Sequence, residues 1–402
     1  MNALSGMRVL DMTQYEAGTS GTQLLAWLGA EVVKVEPPTG DPGRGVTTDT
    51  EVSQYFLNYN GNKRSTVINL KNEKGRDLLL RLVPHYDVFV ENYGPGVIES
   101  LGLEYEELRK LNPRLIYARL KGFGLTGPYS QYNSYDWIAQ AAGGAFSVTG
   151  TADGPPLIPG TTSGDSGAGV QLALAITAAY VQQQQTGEGQ LIELSMQEAV
   201  TLFMRTQGLQ TWGHAPATRS GSRRGSATID AYPTLGGGPN DYLFIAVVTS
   251  HQWDALCTAI DRPELTIDPR FADGAARVEH SDELHCEIAA WTRQHDKYEA
   301  MRLLASQGVP CSAVLDTHEL FTDPHLTSRG FIKTIQHPTG EYKVMDCPMR
   351  LSNSPVEHRA APLLGADTRA ILCHDLGLSP AEVEDYVAAG VVYAPDGGPR
   401  ND

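Results

Sequence analysis

The sequence predicts a mixed α/β fold with two domains, and three observations support this prediction. The chain has 402 residues, and at about 150 residues per domain this length favours two or three packed units over one. Hydrophobic residues make up 41% of the chain and charged residues 19%, which is enough apolar material for a buried interior. In the first half, short β-branched runs alternate with helical stretches.

The alternating segments of the first half predict a parallel sheet. Predicted strands are Met7–Met12, Glu31–Glu36, Ser65–Leu70, Asp87–Glu91, Leu115–Leu120 and Leu191–Leu194. Predicted helices are Gly21–Leu28, Glu73–Val83, 164–185 and 196–210. Because strands and helices alternate, we expect a doubly wound sheet with helices on both faces.

The composition changes after about residue 213. Residues 213–240 are rich in Gly, Ser, Arg and Pro, which is typical of a linker or a long loop. A strand at Tyr242–Val248 and short helices within 251–308 follow. We therefore predict a large domain at 1–215, completed by 336–402, and a linker with a smaller α+β domain at 216–335.

The charge balance argues against nucleic acid as a partner. The chain carries 31 Lys and Arg against 47 Asp and Glu, a formal net charge of -16, and such a field repels phosphate backbones. We see no signal-peptide pattern and no apolar run of membrane-spanning length. Five widely spaced cysteines without a C-x-x-C pair indicate buried thiols in a reducing compartment. We expect a cytoplasmic protein that binds neither nucleic acid nor membranes.

Two patterns suggest a dinucleotide site and a metal site, but the neighbouring residues or the spacing do not fit such sites. The segment Gly122–Gly127 matches G-x-G-x-x-G, the dinucleotide-binding fingerprint, but Pro128 follows at once and predicts a turn instead of a helix. His280 and His285 are five residues apart, which does not place both on one helical face. We expect a glycine-rich loop of another use and no metal site.

Asp165 is the strongest candidate for a reactive group, although a structural role is also open. It stands between Gly164 and Ser166-Gly167 at the start of a long apolar helix. Backbone N–H groups and the helix dipole at that place would keep its carboxylate ionised, and small neighbours would leave it open for attack on a carbonyl. The alternative is an ordinary helix N-cap, which contributes about 1 kcal/mol.

A local excess of basic residues suggests a site for a phosphorylated nucleotide. Residues 61–76 contain one acidic residue, Glu73, and five basic ones: Lys63, Arg64, Lys71, Lys74 and Arg76. The alternative is a solvated helix and loop face, which is the commoner origin of such runs.

The order of several motifs resembles the class III CoA-transferase family (CaiB/BaiF type). This family includes formyl-CoA transferase, carnitine CoA-transferase and the 2-methylacyl-CoA racemases. The resemblance spans about residues 5 to 390 and is carried by Gly29–Glu36, Gly40–Pro42 with Arg44, Asn62–Ser65, Val90–Tyr93 with Pro95-Gly96, Leu111–Tyr117, Gly122–Gly124 with Gly127-Pro128, Gly164-Asp165, Thr186-Gly187 with Gly189-Gln190, and Pro362–Gly365.

The resemblance implies a large Rossmann-like domain, a smaller domain and an interlocked, ring-like homodimer. It implies that Asp165 is the catalytic residue. The positions that would line coenzyme A are Glu16, Ala17, Leu70, Lys71, Asn92, Tyr93 and Tyr135. Coenzyme A and its acyl thioesters would be substrates, with a carboxylic acid as acceptor and no tightly bound cofactor.

Some positions differ from the resembled subfamilies. Glu16 stands where formyl-CoA transferases have glutamine, and Thr19 replaces a usual proline. Tyr135 stands where racemases have histidine, and a phenol does not shuttle an α-proton as imidazole does. The segment Gly221–Ser226, with Arg223 and Arg224, is either an active-site lid whose arginines meet an acceptor carboxylate or a surface linker.

The resemblance implies CoA transfer through mixed anhydrides and an aspartyl-CoA thioester. Two alternatives remain open at this point. A 2-methylacyl-CoA racemase would exchange the α-proton without a second acid, and a CoA-binding protein without catalysis would form no covalent adduct.

Overall fold

The computed structural model describes residues 2–47, 52–223 and 228–395, and the chain divides into two compact units. The larger unit comprises Met1–Phe146, Ile158–Leu209 and Gly330–Asp402, and the smaller unit comprises Ser147–Leu157 and Gln210–Arg329. The second segment of the smaller unit therefore runs from 210 to 329, whereas the sequence predicted 216–335.

The smaller unit also contains residues 147–157, which the sequence analysis had placed in the large domain. The reason is a set of hydrogen bonds over long sequence distances. Arg219 donates from Nη2 to the Gly154 carbonyl (2.7 Å), and the Gly221 amide donates to the Gly150 carbonyl (2.9 Å). Residues 396–402, the end of the predicted range 336–402, lie outside the described residues.

A seven-stranded sheet forms the centre of the larger unit. Its strands are β1 (Arg8–Asp11), β2 (Glu31–Glu36), β3 (Arg64–Ile68), β4 (Val88–Glu91), β5 (Ile116–Lys121), β6 (Leu191–Ser195) and, near the end of the chain, β12 (Val392–Tyr393). Their order across the sheet is β12-β3-β2-β1-β4-β5-β6. All neighbours are parallel except β12, which pairs antiparallel with β3. The order from β3 to β6 is that of a Rossmann-type doubly wound sheet.

Helices connect these strands and complete the larger unit. They are α1 (Ala17–Trp27), α2 (Gln54–Asn60), α3 (Glu73–Leu82), α4 (Val97–Ser100), α5 (Tyr105–Leu111), α6 (Asp136–Ala142), α7 (Ser166–Thr186), α8 (Met196–Phe203), and, after the smaller unit, α14 (Thr368–Leu376) and α15 (Pro380–Ala388). An antiparallel hairpin, β10 (Ile332–His337) with β11 (Gly340–Met345), packs on α2. Short 3-10 turns lie at Pro42–Gly45, Val83–His85, Ala145–Val148 and Met204–Thr206.

Each strand contributes side chains to both faces of the sheet, because successive residues point in opposite directions. On β1, Val9 belongs to the core under α1, α7 and α8, whereas Leu10 belongs to the core under α3, α14 and α15. Both side chains are fully buried. The helices on both faces are those expected of a doubly wound sheet.

Helices α1 and α7 approach each other closely at two glycines. A Cβ atom on Gly169 would lie 2.1 Å from Ser20 Oγ, and one on Gly21 would lie 2.7 Å from the Gly169 carbonyl oxygen. No larger residue fits at this crossing without separating the helices. The contact brings the first turns of the two helices together.

The smaller unit has an antiparallel sheet covered by helices. Its strands are β7 (Ile229–Pro233), β8 (Tyr242–Ala246) and β9 (Cys311–Ala313), and its helices are α9 (Ser250–Ala259), α10 (Gly274–Glu279), α11 (Ser281–Thr292), α12 (Lys297–Ser306) and α13 (Pro324–Ser328). Short 3-10 turns lie at Leu209–Thr211, Pro263–Thr266 and Glu319–Phe321. Tyr232, Leu243 and Trp253 are buried in its core. Among the described residues, the helices are all too short or too polar to cross a membrane.

Candidate functional site

A cavity of about 360 Å³ opens in the larger unit. Strands β1 and β4 are neighbours in the sheet, and the strand order reverses between them. Open α/β sheets bind ligands at such a reversal, beyond the carboxyl ends of the strands. The cavity is lined by the end of β5, by residues that follow β1, β4 and β5, by Asp165 before α7 and by the first residue of α8. These residues are Gln14, Tyr15, Ala17, Asn92, Tyr93, Gly94, Pro95, Leu120, Lys121, Gly122, Ser130, Tyr132, Asn133, Ser134, Tyr135, Asp165 and Met196.

Asn92 joins the two loops that form the cavity floor. Its Oδ1 accepts a hydrogen bond from the Gln14 amide (2.8 Å), and its Nδ2 donates to the Gln14 carbonyl (2.9 Å). Gln14 Nε2 in turn donates to the Tyr93 hydroxyl (3.2 Å). These bonds fix the loop after β1 against the loop after β4.

Tyr15 takes a backbone conformation that is rare for a residue with a side chain. Its φ is 58°, in the left-handed region. Asp41 Oδ1 accepts a hydrogen bond from the Tyr15 amide at 3.2 Å, which holds this conformation. The Tyr15 ring meets the Tyr135 ring edge-on, with 6.2 Å between the centroids, so two loops contribute aromatic rings to one wall.

Asp165 borders the cavity at the residue before α7, but its side chain does not cap the helix. The amide of Gly167, which a capping side chain at 165 would take, donates to the Thr162 carbonyl instead (3.4 Å). The ordinary N-cap role is therefore wrong for this side chain.

Asp136 holds the backbone on either side of the Gly164-Asp165 bond. Its Oδ1 accepts from the amides of Gly164 (2.9 Å) and Asp165 (3.1 Å). Its Oδ2 accepts from Gln140 Nε2 at 2.6 Å, and the same Gln140 nitrogen donates to the Thr161 carbonyl at 2.9 Å. A Cβ atom on Gly164 would lie only 2.6 Å from the Asp136 carbonyl oxygen, so glycine is required for this approach.

Glu16 lies next to this turn, because α1 and α7 begin side by side. It is only 4% exposed, and its Oε1 accepts a hydrogen bond from Ser166 Oγ at 2.6 Å. Tyr55 and Tyr59 of α2 lie near the same carboxylate, and burial together with the negative charge of Glu16 raises the pKa of both phenols. Both tyrosines therefore stay neutral hydrogen-bond donors.

The surroundings of Asp165 favour its protonated form. Burial is the main cause, and the negative charges of Glu16 and Asp136 add to it, so that the pKa of Asp165 is raised to about 8. The expectation that backbone amides keep this carboxylate ionised is wrong, since its side chain accepts no capping hydrogen bond and the Gly167 amide donates to the Thr162 carbonyl. A carboxyl group poised between its two forms near neutral pH is typical of a reactive site.

Of the eight site residues named from the sequence, five line the cavity: Ala17, Asn92, Tyr93, Tyr135 and Asp165. Glu16 does not line the cavity; it is buried and accepts a hydrogen bond from Ser166 Oγ. Leu70 and Lys71 are not part of the lining. They follow β3, two strands away from β1 at the same edge of the sheet, where Lys71 is exposed and Leu70 packs on the core.

The basic run at 61–76 does not form a common positive surface. Lys63 is buried and pairs with Asp11 (2.9 Å), and burial lowers its pKa to about 8. Arg64 pairs with Glu31 at 2.8 Å. Lys71 and Lys74 remain exposed, and Arg76 is partly exposed with Glu73 at 4.0 Å, so the predicted nucleotide patch is reduced to these three side chains.

The glycine-rich segment after β5 is a turn, as its proline indicated. No helix follows Gly127, and the next helix begins at Asp136. Gly122 lines the cavity, and a Cβ atom there would lie 2.2 Å from Ser134 Cβ. The segment thus lets the chain pass close to the cavity wall, and it lacks the strand-turn-helix geometry of a dinucleotide site.

Of the two arginines in the suggested lid, only Arg223 lies among the described residues. Arg223 lies in the smaller unit and pairs with Asp230 (3.0 Å) and Asp282 (2.8 Å), so its charge is already neutralised by carboxylates. Arg224, with the rest of the segment up to Ser226, lies outside the described residues. Within the described ranges, no three His, Cys, Asp or Glu side chains are grouped as metal ligands would be.

Sequence reasoning missed Gln140, Tyr59 and Gln14. Gln140 carries no recognisable pattern, since one polar residue in an alanine-rich helix suggests a solvent face, yet it is fully buried. Tyr59 belongs to a helix that the sequence analysis did not predict. Gln14 lies in the loop after β1, two residues before Glu16, and this nearness was the available signal.

Comparison with known proteins gives matches along the whole chain. The profile of CoA-transferase family III matches residues 4–368. A formyl-CoA:oxalate CoA-transferase of Streptomyces coelicolor is 39% identical over 408 residues, covering 97% of this chain and 99% of that protein. One of Rhodopseudomonas palustris is 38% identical over 418 residues, covering 98% of both. The crystal structure of a CAIB/BAIF family protein from Brucella suis covers 93% of this chain and 100% of its own, with a TM-score of 0.83 and 31% identity.

Proposed function

The chain belongs to CoA-transferase family III and is a CoA-transferase, and from this premise we propose that Asp165 is the nucleophile that carries the acyl group and coenzyme A in turn. The observation that supports this most is that Asp165 lines the cavity while its side chain makes no capping hydrogen bond to the start of α7. A carboxylate is the right nucleophile for this transfer, because each of its adducts keeps the acyl group activated.

The proposed cycle has four steps. Ionised Asp165 attacks the thioester carbonyl of the donor, which gives an acyl-aspartyl anhydride and CoA thiolate. The thiolate attacks the aspartyl carbonyl and releases the donor acid, leaving an aspartyl-CoA thioester. The acceptor carboxylate attacks that thioester to form a second anhydride and CoA thiolate, and the thiolate then takes the acyl group from it. Asp165 returns as a carboxylate, so no proton or nucleotide is consumed.

The proposed coenzyme site follows the carboxyl edge of the sheet. Ala17, Asn92, Tyr93 and Tyr135 would hold the thioester arm near Asp165. Leu70 and Lys71 lie about 10 Å along the sheet from β1, given about 4.8 Å between neighbouring strands. Coenzyme A is an extended molecule, so we propose these two residues as outer contacts, with the Lys71 ammonium meeting a phosphate.

The relatives suggest which substrates to test first. Those we compared are named formyl-CoA:oxalate CoA-transferases, so we propose a short acyl-CoA donor and a small carboxylic acid acceptor. Glu16 differs from the glutamine expected of that subfamily and places a negative charge next to Asp165. A racemase is less well supported, because Tyr135 offers a phenol where an imidazole would be needed.

We propose a homodimer as the working form, interlocked as in the family. Exposed apolar side chains support it on three helices of the larger unit: Trp137 and Ile138 of α6, Val170, Leu174 and Val181 of α7, and Leu202 and Phe203 of α8. The three residues of α7 are spaced four and seven apart, which places them on one face of the helix. An apolar stripe of this kind is typical of a surface that a partner covers.

The experiment that tests the nucleophile combines mass spectrometry with turnover. Asp165→Ala is expected to abolish CoA transfer and the covalent adduct that wild-type protein forms with acyl-CoA, while the Kd for coenzyme A changes less than about threefold. Hydroxylamine treatment of the wild-type adduct should leave a hydroxamate on Asp165. Asp77→Ala, on the exposed face of α3, is the control. Turnover in Asp165→Ala at more than a few per cent of the wild-type rate would exclude the covalent scheme.

A further inference from the structure

We propose that Asp136 and Gln140 are positioning residues of the transfer reaction: together they clamp residues 161–165 so that the Asp165 side chain stays in the cavity wall and off the end of α7. This inference rests on the proposed function, in which Asp165 is the nucleophile. It concerns two side chains of α6 that do not themselves attack the substrate.

The clamp consists of three hydrogen bonds between α6 and one short turn, and a fourth within α6 that joins its two side chains. Asp136 accepts from the amides of Gly164 (2.9 Å) and Asp165 (3.1 Å). Gln140 donates to Asp136 Oδ2 (2.6 Å) and to the Thr161 carbonyl (2.9 Å). The turn is therefore held near both of its ends, and the amide that moves with Asp165 is held directly.

The clamp is buried, so breaking its hydrogen bonds costs more free energy than it would at the surface. Asp136 is 7% exposed and Gln140 is not exposed at all. A buried carboxylate that accepts several hydrogen bonds has few other orientations available, because each bond lost inside the protein leaves a polar group without a partner. The side-chain oxygen of Gln140, Oε1, has no hydrogen-bond partner. The two hydrogen bonds that Nε2 donates, to Asp136 and Thr161, therefore determine the orientation of this amide.

The clamp explains why an aspartate at the start of a long helix does not cap it. In the usual arrangement the side chain at this position turns back and accepts from the second or third amide of the helix. Here the clamped turn places the Thr162 carbonyl where it accepts a hydrogen bond from the Gly167 amide (3.4 Å). This carbonyl replaces the Asp165 side chain as the acceptor at the start of α7. Asp165 is left to border the cavity.

The clamp also connects two parts of the cavity wall. Tyr135, the residue directly before α6, lines the cavity beside Asp165. Because Tyr135 directly precedes Asp136, the first residue of α6, the clamp that holds the turn before α7 also links the backbone of Tyr135 to that of the nucleophile. Precision of this kind matters, since a displacement of about 1 Å in a reactive group can cost on the order of 100-fold in rate.

Three variants test the clamp. Gln140→Leu removes both donated bonds at similar volume, and we expect kcat to fall about 10- to 30-fold while KM for acyl-CoA changes less than about threefold. Asp136→Ala removes the acceptor, and we expect kcat to fall about 100-fold or more. Asp136→Asn keeps the Oδ1 acceptor for the amides of Gly164 and Asp165 and loses only the acceptor for Gln140 Nε2, so its kcat should exceed that of Asp136→Ala at least about tenfold.

Gln183→Leu is the matched control. Gln183 is equally buried, lies at the far end of α7 and donates to the Arg114 carbonyl (2.7 Å). We expect it to lower the unfolding temperature about as much as Gln140→Leu while kcat stays at the wild-type value. Thermal unfolding of all four variants separates lost stability from lost positioning. If Asp136→Ala does not fold, Gln140→Leu and Asp136→Asn still give the comparison.

The rate at which acyl-CoA labels Asp165 in a single turnover distinguishes the two proposals. Labelling that slows with kcat in Gln140→Leu and recovers from Asp136→Ala to Asp136→Asn supports the clamp. Labelling at the wild-type rate in both Gln140→Leu and Asp136→Ala overturns the clamp and leaves Asp165 as the nucleophile. Absence of any label on Asp165 in the wild-type protein overturns the proposed function itself.

Discussion

At the scale of single residues, the main feature is a carboxyl group that the fold keeps protonated. A pKa of about 8 for Asp165 means that the reactive carboxylate is the minor form at pH 7. In the unfolded chain the same group would ionise near its usual pKa of about 3.9. The difference links both activity and stability to pH.

Glu16→Gln should move the pH dependence of the reaction. Removal of the Glu16 charge takes away one cause of the raised pKa, so the midpoint of kcat/KM against pH is expected to fall by about one unit from a wild-type midpoint near 8. Below the midpoint, activity should rise by up to about tenfold. The measurement is kcat/KM for the acyl-CoA donor between pH 6 and about 9.5. Glu31→Gln, far from the cavity, is the control, and an unchanged midpoint in Glu16→Gln would contradict this cause.

Asp165→Asn should stabilise the protein, and more so at higher pH. Between about pH 4 and 8 the unfolded chain releases this proton and the folded chain keeps it, so wild-type stability falls as pH rises through that window and levels off above it. The amide has no proton to release. We expect its gain in unfolding free energy to be about 1 to 3 kcal/mol larger at pH 8 than at pH 4. Urea unfolding at both values measures it, with Asp77→Asn as the control; an equal gain at both pH values would contradict the assignment.

At the scale of elements, the site depends on the crossing of α1 and α7. Glu16 and Asp165 lie just before these helices, and the two side chains become neighbours because Gly21 and Gly169 let the helices touch. The N terminus of α7 then meets the loops that follow β1 and β4 at the reversal of the sheet. Helix packing thus assembles groups that lie about 150 residues apart in the chain.

Gly169→Ala tests this crossing. The added methyl group would overlap Ser20 Oγ and the Ala17 carbonyl, so the helices must separate. We expect a loss of about 1 to 3 kcal/mol in unfolding free energy. We also expect a fall in kcat, because Asp165 at the start of α7 moves away from the cavity loops that follow β1 and β4. Gly274→Ala at the start of α10, where no atom lies within 4 Å of the new Cβ, should leave both quantities nearly unchanged. Wild-type stability in Gly169→Ala would show that the helices do not need this contact.

At the scale of the whole molecule, the exposed apolar stripe on α7 bears on assembly. Leu174 is 69% exposed, which is unusual for a leucine on a long helix of a compact unit. The neighbouring apolar residues of α6 and α8 extend the same kind of surface. We expect a second copy of the chain to cover it.

Leu174→Glu should weaken the homodimer. A charge placed in an apolar interface loses its hydration without gaining a partner, so the variant is expected to shift towards monomer at micromolar concentration. Sedimentation equilibrium of wild-type and variant protein measures this change. Val278→Glu, an exposed apolar position on α10 of the smaller unit, is the control. A wild-type protein that is monomeric at these concentrations would contradict the dimer proposal.

Local patterns were enough to predict the strands of the first half. Three of the six predicted strands enclose the observed ones, and the other three, Ser65–Leu70, Leu115–Leu120 and Leu191–Leu194, each miss one residue at one end. The agreement is close because runs such as Glu31–Glu36 combine β-branched residues with clear ends. The helix predicted at 164–185 is also present as α7. Short helices such as α2 and α6 were missed, since seven residues carry too little periodic signal.

The sequence by itself determined the family, the alternation of strands and helices, and Asp165 as the residue to examine. Only the tertiary structure decided the protonation of that residue, its release from the helix end, and the roles of Glu16, Asp136 and Gln140. The physical reason is that these properties depend on burial and on the distances between charges and hydrogen-bond partners. Those distances are set when segments far apart in the chain pack against one another, and no local pattern records them.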